Sequence, residues 1–593
     1  MSAARRTVPL SLATALALWC VLVFALLRSP PRNILSWDTF GYYLYLPAGL
    51  LHHDLALEDQ QWVQEVITTY HSTESFYQAR SLPEGRWVMK YPMGLAVLWS
   101  PFFVVGHLVA GVSGHPQDGF SAPYQWSIIG AMLAYLLAGL LVLRRVLMKY
   151  FSDAIVAAVL ALIVLGTNYL HQALYSTGMP HLFLFTLYAG VLWHSIRWHE
   201  RHRMRDAIIL AVLIGLLALS RPSEIVAVFI PLLIGLAHPA QWMDHVRALW
   251  RWRSQFALVI GIMLLIGSPQ LIYWKWLTGK FLYMSYNNPG EGFEFLHPYI
   301  AEVLFSFRKG WYIYTPLMVV ATAGLFLMRR HLSSLSWSII AFFVLNLYIV
   351  SSWSCWWYAD SFGQRALVQS YALMALPLGA VLAWLAGRHW LWRSSGVVAL
   401  IALTAFNLFQ IWQSAQGMIH TSRMTEAAYR AVFAKTTAPA GQDTLLLVDH
   451  AYPVGSDAPD LRRYKRMPLV LMRSGPRGRS SPVLRIPYDR LTAKDHVWLE
   501  VDCWIDQPDD RAMPCVSLVT SFEHGGYDYA YQEMWTDTTK RAAGARTHLV
   551  TWYLTPEIRR PSDELVVRCR SDNDRPIYID DLGVTVYEPL NDR

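Results

Sequence analysis

Residues 37–47 read WDTFGYYLYLP and follow closely on an apolar run at 8–27. The segment holds one carboxylate, Asp38, among aromatic side chains, at the point where the chain leaves its first membrane-length run. A charge is costly to hold beside lipid, so an acid in or next to a membrane segment is a functional candidate by default. What Asp38 does depends on how the rest of the chain is placed in the membrane.

Composition predicts a polytopic membrane protein. The chain has 593 residues, of which 54% are hydrophobic and only 16% are charged, against about 25% charged in typical soluble domains. Apolar runs of about 20 residues, the length that crosses the hydrocarbon core, recur along the sequence. The net charge of +8 is therefore attributed to Lys and Arg in short loops and not to nucleic-acid binding.

The first apolar run predicts an uncleaved span that enters from the cytoplasm. Arg5 and Arg6 precede it, as in a signal peptide, but the run is long and residues 28–32 (RSPPR) do not form a small-residue cleavage site. If every later basic cluster is also cytoplasmic, about eleven spans follow, with the C-terminus outside. These predicted spans are 8–27, 126–146, 154–171, 180–196, 206–220, 223–238, 255–276, 311–328, 335–352, 366–387 and 395–414.

One apolar stretch, 91–111, does not fit this count. Two prolines interrupt it, and a full crossing there would invert every later basic loop. We predict a re-entrant or juxtamembrane helix in the outer leaflet. The outer face then collects the segments that mix polar and aromatic residues, so the chemistry is expected there. These segments are 28–90, 171–181, 221–224, 277–310 and 351–365.

The chain resembles the GT-C glycosyltransferases in three features. They are WDTFGYYLYLP after the first span, Lys90-Tyr91-Pro92-x-Gly94 before an apolar helix, and the body of many spans. More narrowly, residues 1–415 are similar to bacterial relatives of the protein O-mannosyltransferases and of the lipid A aminoarabinose transferases. The resemblance implies transfer of a sugar from a polyprenyl phosphate to an acceptor hydroxyl on a periplasmic glycan, lipid or protein. It also implies a bacterial inner-membrane location and an outer-facing site without nucleotide.

The catalytic acid of that family corresponds to Asp38. As a general base it would take the proton of the acceptor hydroxyl; alternatively, it caps a helix that begins at Thr39. Many family members have Asp-Glu where this chain has Asp38-Thr39, so any divalent cation would need other ligands, and no metal ligand is predicted. Tyr42, Tyr43 and Tyr45 are candidates for stacking on sugar or prenyl groups, or for interfacial anchors.

A phosphate leaving group requires cations on the outer side. Arg221 and Arg365 are favoured, because both lie at predicted span ends against the positive-inside bias. The alternatives are snorkelling to the headgroups or an ion pair between Arg221 and Glu224, which is itself a candidate binding residue. The outer candidates are Lys90, Arg221, Lys275, Lys280, Arg308, Lys309 and Arg365.

Residues 351–365 (SSWSCWWYADSFGQR) combine three tryptophans with Asp360 and Arg365. Aromatic faces pack on pyranose rings and a carboxylate accepts sugar hydroxyls, so this segment, with Trp353 and Trp357, predicts part of a sugar pocket. His181 is a further candidate for binding sugar or phosphate, with a structural role as the alternative.

After residue 415 the pattern changes to alternating strands with turn signals, which predicts a linker at 416–440 and a periplasmic β-sandwich at 441–593. Strands are predicted at 496–506, 515–522, 548–554, 564–569 and 576–587, and a helix at 425–435. The last strand resembles jelly-roll carbohydrate-binding modules, so glycan binding and capping of the active site both stay open. Cys503 and Cys515 are candidates for a disulfide between neighbouring strands, and Cys569 would then not take part in this bond.

The sequence thus predicts a polytopic α-helical membrane protein, GT-C-like, with about eleven spans, a juxtamembrane helix and a C-terminal all-β sandwich. Two other functions stay open: a polymerase or ligase of lipid-linked glycans, and a non-enzymatic lipid or glycan transporter. The glycosyltransferase hypothesis requires Asp38, Arg221, Asp360 and Arg365 to converge on one cavity.

Overall fold

The computed structural model describes residues 8–286, 291–447, 461–467, 470–473, 483–506, 516–535, 547–571 and 578–589. The chain forms two compact units, Met1–Tyr286 with Glu294–Ser422 and Asn287–Phe293 with Arg423–Arg593. The first unit is helical and the second consists mainly of strands. The change from one to the other falls inside the predicted linker 416–440, while the domain limits themselves stay predictions.

The helices of the first unit are built from Leu, Ala, Val and Ile runs, which satisfy their backbone hydrogen bonds internally, as a bilayer requires. They are α1 (Leu10–Arg28), α2 (Trp37–Tyr43), α3 (Tyr45–Leu50), α4 (Gln60–Tyr70), α5 (Gly94–Ser113), α6 (Ala122–Leu147), α7 (Asp153–Leu165), α8 (Tyr169–Tyr175), α9 (Pro180–Arg201), α10 (Met204–Ser220), α11 (Phe229–Leu233), α12 (Trp242–Trp250), α13 (Arg253–Thr278), α14 (Ile300–Phe305), α15 (Trp311–Tyr314), α16 (Leu317–His331), α17 (Ser333–Ser351), α18 (Tyr371–Ala386) and α19 (Trp390–Ala415). A short hairpin of β1 (Ala79–Ser81) and β2 (Trp87–Met89) precedes α5.

Among the described residues, seven helices are long and apolar enough to cross a membrane, or eight if α7 and α8, which meet at 54°, form one bent span. Three further predicted spans, 180–196, 206–220 and 311–328, fall on α9, α10 and α16. The expectation of a helical membrane protein is confirmed at this level. The number of crossings and their direction stay predictions. The seven helices are Leu10–Arg28, Gly94–Ser113, Ala122–Leu147, Arg253–Thr278, Ser333–Ser351, Arg365–Ala386 and Trp390–Ala415.

The predicted span at 223–238 is wrong. A 3-10 helix at Pro222–Val228 runs into the short α11, and the helix ends at Leu233. At 1.5 Å per residue even a continuous α-helix over 222–233 would cover only about 18 Å. Pro231, within α11, lacks the amide hydrogen that a continuous α-helix would use at this position.

Most of the stretch 91–111 forms a single helix, α5. The residues that flank this helix on both sides are hydrogen-bonded to the segment that follows α1. Before α5, the carbonyl of Tyr91 accepts a hydrogen bond from the Tyr45 hydroxyl at 2.9 Å. After it, the carbonyl of Gly119 accepts one from the Tyr43 hydroxyl at 2.5 Å. Both flanks of α5 are therefore tied to the segment that follows α1, and the re-entrant placement of this helix stays a prediction.

The opposite end of the bundle holds the N-terminus of α1. There the Ser11 hydroxyl accepts a hydrogen bond from Arg144 Nε at 2.6 Å, and the Ser11 amide donates to Asp153 at 3.3 Å. The chain thus passes from one end to the other along α1 and returns along α6. This arrangement puts the basic end of α6 beside the N-terminus, in agreement with the charge pattern.

Gly94 allows α5 to begin directly against the end of α10. A Cβ at this position would overlap the backbone nitrogen of Ser220 and the carbonyl carbon of Leu219. We expect Gly94→Ala to lower the free energy of unfolding by about 1–3 kcal/mol, the usual cost of overpacking, measured by thermal unfolding in detergent. Gly130→Ala is the matched control, since open space surrounds Gly130 on α6; equal stability of both variants would contradict this packing.

The second unit is a β-sandwich with one small apolar core. One sheet has the order β5-β10-β7-β8, the other has the order β3-β11-β6-β9, and β4 also pairs with β11. All five predicted strands and the helix near 425–435 are confirmed. The strands are β3 (Leu461–Arg466), β4 (Val470–Arg473), β5 (Leu484–Pro487), β6 (Trp498–Asp506), β7 (Val516–His524), β8 (Tyr527–Trp535), β9 (Thr547–Leu554), β10 (Glu564–Ser571) and β11 (Tyr578–Pro589), and the helices are α20 (Glu426–Val432) and α21 (Tyr488–Leu491).

Candidate active site

Asp38 lies in the first turn of α2 and makes three hydrogen bonds. Its Oδ1 accepts from the hydroxyls of Tyr77 at 2.8 Å and Tyr91 at 2.7 Å. Its Oδ2 accepts from Arg365 Nη2 at 2.9 Å. The alternative that Asp38 caps the helix is wrong, because the N-cap position belongs to Ser36 and no side chain caps this helix.

Four neighbours keep the Asp38 carboxyl ionised. Burial by itself raises its pKa, but the Arg365 guanidinium, the hydroxyls of Tyr91 and Tyr77 and the charge of Lys90 outweigh burial and hold the pKa below the usual 3.8. The group is therefore a carboxylate throughout the neutral range. A low pKa also makes it a weak base for as long as Arg365 stays in place.

The carboxylate borders a polar cavity of about 580 Å³, within the range of ligand pockets. Three parts of the chain form the cavity. The first is the end of α1 together with the start of α2, the second is the loop before α9, and the third is the segment that ends at Arg365. Asp38, Asp360 and Arg365 all line it, but Arg221 does not, so the predicted convergence of four residues is found for three of them. The lining residues are 31–34, 36–39, Tyr77, 175–179, Ala359, Asp360, Arg365 and Ser422.

A second buried polar cluster forms around Glu224. Its carboxylate accepts hydrogen bonds from the Tyr188 hydroxyl at 2.6 Å and from Gln369 Nε2 at 3.0 Å. Arg221 Nη1 lies 3.6 Å from Glu224 Oε1, so the predicted ion pair exists. The same Nη1 atom is buried and has no hydrogen-bond partner among the described residues.

This cluster fixes the protonation of His181. A carboxylate only accepts, so Gln369 must turn its amide nitrogen to Glu224 and its carbonyl oxygen to His181 Nδ1, 3.0 Å away. Nδ1 therefore carries the proton, and Nε2 presents a lone pair. His181 Nε2 is buried and has no hydrogen-bond partner in the part of the chain that the structure describes.

Tyrosine rings join the two clusters. Tyr42 is hydrogen-bonded to Tyr286, and the charges of Asp38, Arg221 and Arg365 all act on it. The Tyr42 ring lies 4.4 Å from that of Tyr91. Arg221 therefore belongs to the same electrostatic environment as Asp38.

A third basic side chain, Lys90, acts on Asp38. Lys90 is buried, with its Nζ 5.2–5.8 Å from the ring centroids of Tyr77, Tyr91 and Tyr286. Three cations, Lys90, Arg221 and Arg365, thus surround two carboxylates, Asp38 and Glu224.

Asp360 is in the cavity wall, but its carboxylate already accepts hydrogen bonds from the hydroxyls of Thr421 and, at 3.4 Å, Ser422. Arg308 Nε donates to the Ser422 carbonyl at 2.7 Å, and its guanidinium covers the Trp357 ring at 4.3 Å. Trp353 packs edge-on against Tyr286 at 5.8 Å. Arg308, Trp353 and Trp357 therefore support the wall and do not line the cavity.

Other sequence candidates lie away from the cavity. Tyr43 is fully buried against Trp99, Phe103 and Phe120, and its hydroxyl is bound to Gly119. The remaining lysines do not face Asp38 either. Lys309 donates to the Ser361 carbonyl at 2.5 Å, Lys275 donates to the Gly279 carbonyl at 2.7 Å, and Lys280 is exposed.

The backbone is strained next to both acids of the cavity. Trp37, directly before Asp38, has φ 51°, and Tyr358 and Ala359, directly before Asp360, both have φ 52°. Left-handed geometry costs such side chains about 1–3 kcal/mol each and is concentrated at functional sites. Here it sets the direction in which the two carboxylates leave the backbone.

An apolar groove of about 740 Å³ lies between α10 and α13. Its lining includes Pro92 and Pro222, which directly follow Tyr91 and Arg221 in the sequence. The lining residues are Pro92, Gly215, Ala218, Leu219, Pro222, Ile225, Ile260, Met263, Leu264, Gly267, Gln270, Leu271, Trp274, Leu282, Tyr283 and Met284.

The sequence did not single out Tyr77, Gln369 or Tyr286 as site residues. Tyr91 was quoted in a motif without a role, and the other three carry no local signal. Among the described residues, no group of three or more His, Cys, Asp or Glu side chains is arranged to hold a metal ion.

No family model and no curated protein matches this chain. Among solved structures, one that is similar is the archaeal oligosaccharyltransferase AglB from Archaeoglobus fulgidus in complex with an inhibitory peptide and a dolichol-phosphate, with 10% sequence identity and a TM-score of 0.43. The match covers 75% of this chain and 61% of the archaeal chain.

Proposed function

We propose that the chain is a membrane glycosyltransferase of the GT-C type that moves a sugar from a polyprenyl phosphate to an acceptor hydroxyl on a glycan, lipid or protein. The observation that carries the proposal is the ionised Asp38, which lines a polar cavity and pairs there with Arg365, a cation that a phosphate can also bind. A phosphate-linked donor supplies an anion for Arg365 and Arg221. The ionised Asp38 supplies the base.

The donor phosphate binds between Arg221 and Arg365. Arginine's planar fork suits phosphate oxygens, and the buried, unpartnered Nη1 of Arg221 gains a partner on binding. Glu224 positions Arg221 and, through Gln369, presents the lone pair of His181 Nε2. That lone pair accepts a hydrogen bond from a sugar hydroxyl.

The transfer step balances without a further reactant. The acceptor oxygen attacks the anomeric carbon, the bond from that carbon to the phosphate oxygen breaks, and its electron pair leaves with polyprenyl phosphate. The acceptor proton goes to Asp38. Arg221 and Arg365 stabilise the charge that develops on the leaving phosphate, usually the largest contribution to such catalysis.

Donor binding also activates the base. Arg365 pairs with Asp38 at 2.9 Å, and a phosphate of higher charge competes for the same guanidinium. As Arg365 turns to the phosphate, the pKa of Asp38 rises and the carboxylate becomes a better proton acceptor. The site therefore binds donor first and deprotonates the acceptor only afterwards.

The apolar groove between α10 and α13 holds the first isoprene units of the donor. Its lining includes Pro92 and Pro222, the sequence neighbours of Tyr91 and Arg221 at the proposed phosphate site. The lipid enters sideways from the outer leaflet, and the acceptor enters through the polar cavity. The two substrates thus reach Asp38 from different sides.

Filling the groove should weaken donor binding. Open space surrounds both Gly267 and Gly261 on α13, but only Gly267 lines the groove. We expect Gly267→Phe to raise the donor KM about tenfold, equivalent to about 1.4 kcal/mol, with little change in the KM of the acceptor. Gly261→Phe is the matched control; equal effects of the two substitutions would refute the groove assignment.

The proposal is tested by transfer of radiolabelled sugar from a panel of polyprenyl-phosphate sugars, in membranes that contain or lack the protein. Transfer that depends on the protein supports it. Labelled sugar that lengthens an existing lipid-linked glycan would instead indicate a polymerase or ligase. No transfer from any donor, combined with movement of labelled lipid across vesicles, would indicate a transporter.

We further propose a bacterial inner-membrane location with the β-sandwich on the periplasmic side. The position of the basic end of α6 beside the N-terminus supports this orientation.

A further inference from the structure

Two cysteines of the β-sandwich meet across its core. Cys503 lies on β6 of one sheet and Cys569 on β10 of the other, and neither side chain is exposed. Their sulfur atoms are 3.7 Å apart. No backbone hydrogen bonds join these two strands, because they belong to different sheets.

We propose that Cys503 and Cys569 form a disulfide bond that ties the two sheets of this domain together in the protein as made by the cell. The predicted pair was Cys503 with Cys515; the geometry points to Cys569 as the partner, and Cys515 lies outside the described residues. Disulfides that link the two sheets of a sandwich through its core are a known device.

The side chains need little movement to make the bond. A disulfide has an S–S distance of about 2.05 Å, and the two sulfurs already face each other in van der Waals contact. Both residues alternate with apolar core neighbours, Val501 and Ile505 on β6 and Leu565 and Val567 on β10, so both side chains point into the core.

The chemistry requires an oxidant. Each thiol loses a proton and one electron, the sulfur–sulfur bond forms, and the two electrons reduce a protein or small-molecule disulfide to two thiols. Such an oxidant acts outside the cytoplasm. The inference therefore depends on the proposed outer location of this domain and is independent of the glycosyl-transfer chemistry.

The bond joins positions that are 66 residues apart, so it removes much conformational freedom from the unfolded domain. It also compensates for a small core. We expect the domain to unfold at a lower temperature after reduction, with no change in the membrane unit.

The test uses full-length protein from cells whose thiols are blocked with a maleimide at lysis. The chain has five cysteines, so the disulfide leaves three that react before reduction and five after it. Digestion without reductant should give one linked pair of peptides that contain Cys503 and Cys569. Cys515→Ser should keep this link, whereas Cys503→Ser should remove it.

Two results would overturn the proposal: a link between Cys503 and Cys515, or five reactive thiols in protein taken directly from cells. Protease digestion of intact spheroplasts reports separately which side the domain occupies. If the domain lies outside the cytoplasmic membrane and both thiols are reduced, only the disulfide is rejected. If the domain lies on the cytoplasmic side, the proposed location is rejected as well. If Cys503→Ser does not fold, mass analysis of the wild-type link still decides.

Discussion

Asp38→Asn should reduce sugar transfer by about 10²- to 10⁴-fold, the usual contribution of a general base. Asparagine keeps the size of the side chain and can still accept from Arg365 Nη2, but it cannot take the acceptor proton. Transfer should be measured in membranes at matched expression, with donor binding determined separately. Donor affinity should change little or rise, because Arg365 is released from its carboxylate partner.

The matched control removes a carboxylate elsewhere. Asp244 is exposed on α12 and pairs only with Arg247 among the described residues, so Asp244→Asn should leave transfer unchanged. Transfer by Asp38→Asn within a few-fold of wild type would remove Asp38 from catalysis. Attention would then move to Asp360, the other carboxylate that lines the cavity.

Asp38 and Arg365, the central pair of the site, could be predicted because each stands out within its own stretch of sequence. Asp38 stands out as the acid directly after the first span, and Arg365 as a cation at a span end where positive charge is disfavoured. Their meeting, over 327 positions of sequence, was only a hypothesis. Tyr77 and Gln369 were missed because a single tyrosine or glutamine in a polar or apolar run looks like many others until its partner is known.

The fold shows the same division. Hydrophobic runs located most of the helices, but the predicted span at 223–238 is a 3-10 helix followed by the short α11, which ends at Leu233. In the sandwich, β8 was overlooked although its signal is present. Gly525 and Gly526 both have positive φ and form the two-residue turn between β7 and β8. Only the pairing of strands into two sheets revealed that Cys503 faces Cys569.

Arg365→Gln should lower transfer by about 10²- to 10³-fold, by analogy with the loss of one group that stabilises a developing anion. It should also move the acidic limb of the pH–rate profile to higher pH. The sign follows from the neighbours of Asp38. Burial raises the pKa of its carboxyl, and Arg365 is the strongest influence that lowers it, so without the guanidinium the carboxyl protonates at a higher pH and the base form is lost sooner.

The pH–rate profile distinguishes two possible roles of Arg365, which the rate at a single pH cannot distinguish. If Arg365 only holds the scaffold, its loss lowers the rate equally at every pH; if it tunes Asp38, the profile shifts. Arg86→Gln is the control, since Arg86 pairs with Glu84 and does not line the cavity. A combined Asp38→Asn and Arg365→Gln variant should show no acidic limb from this pair. It should be slower than Asp38→Asn, because the phosphate also loses Arg365, but by less than the product of the two single losses, because the tuning of Asp38 is already lost in Asp38→Asn. A fully additive loss would mean that Arg365 serves the phosphate independently of the base, and the proposed order of donor before acceptor activation would fall.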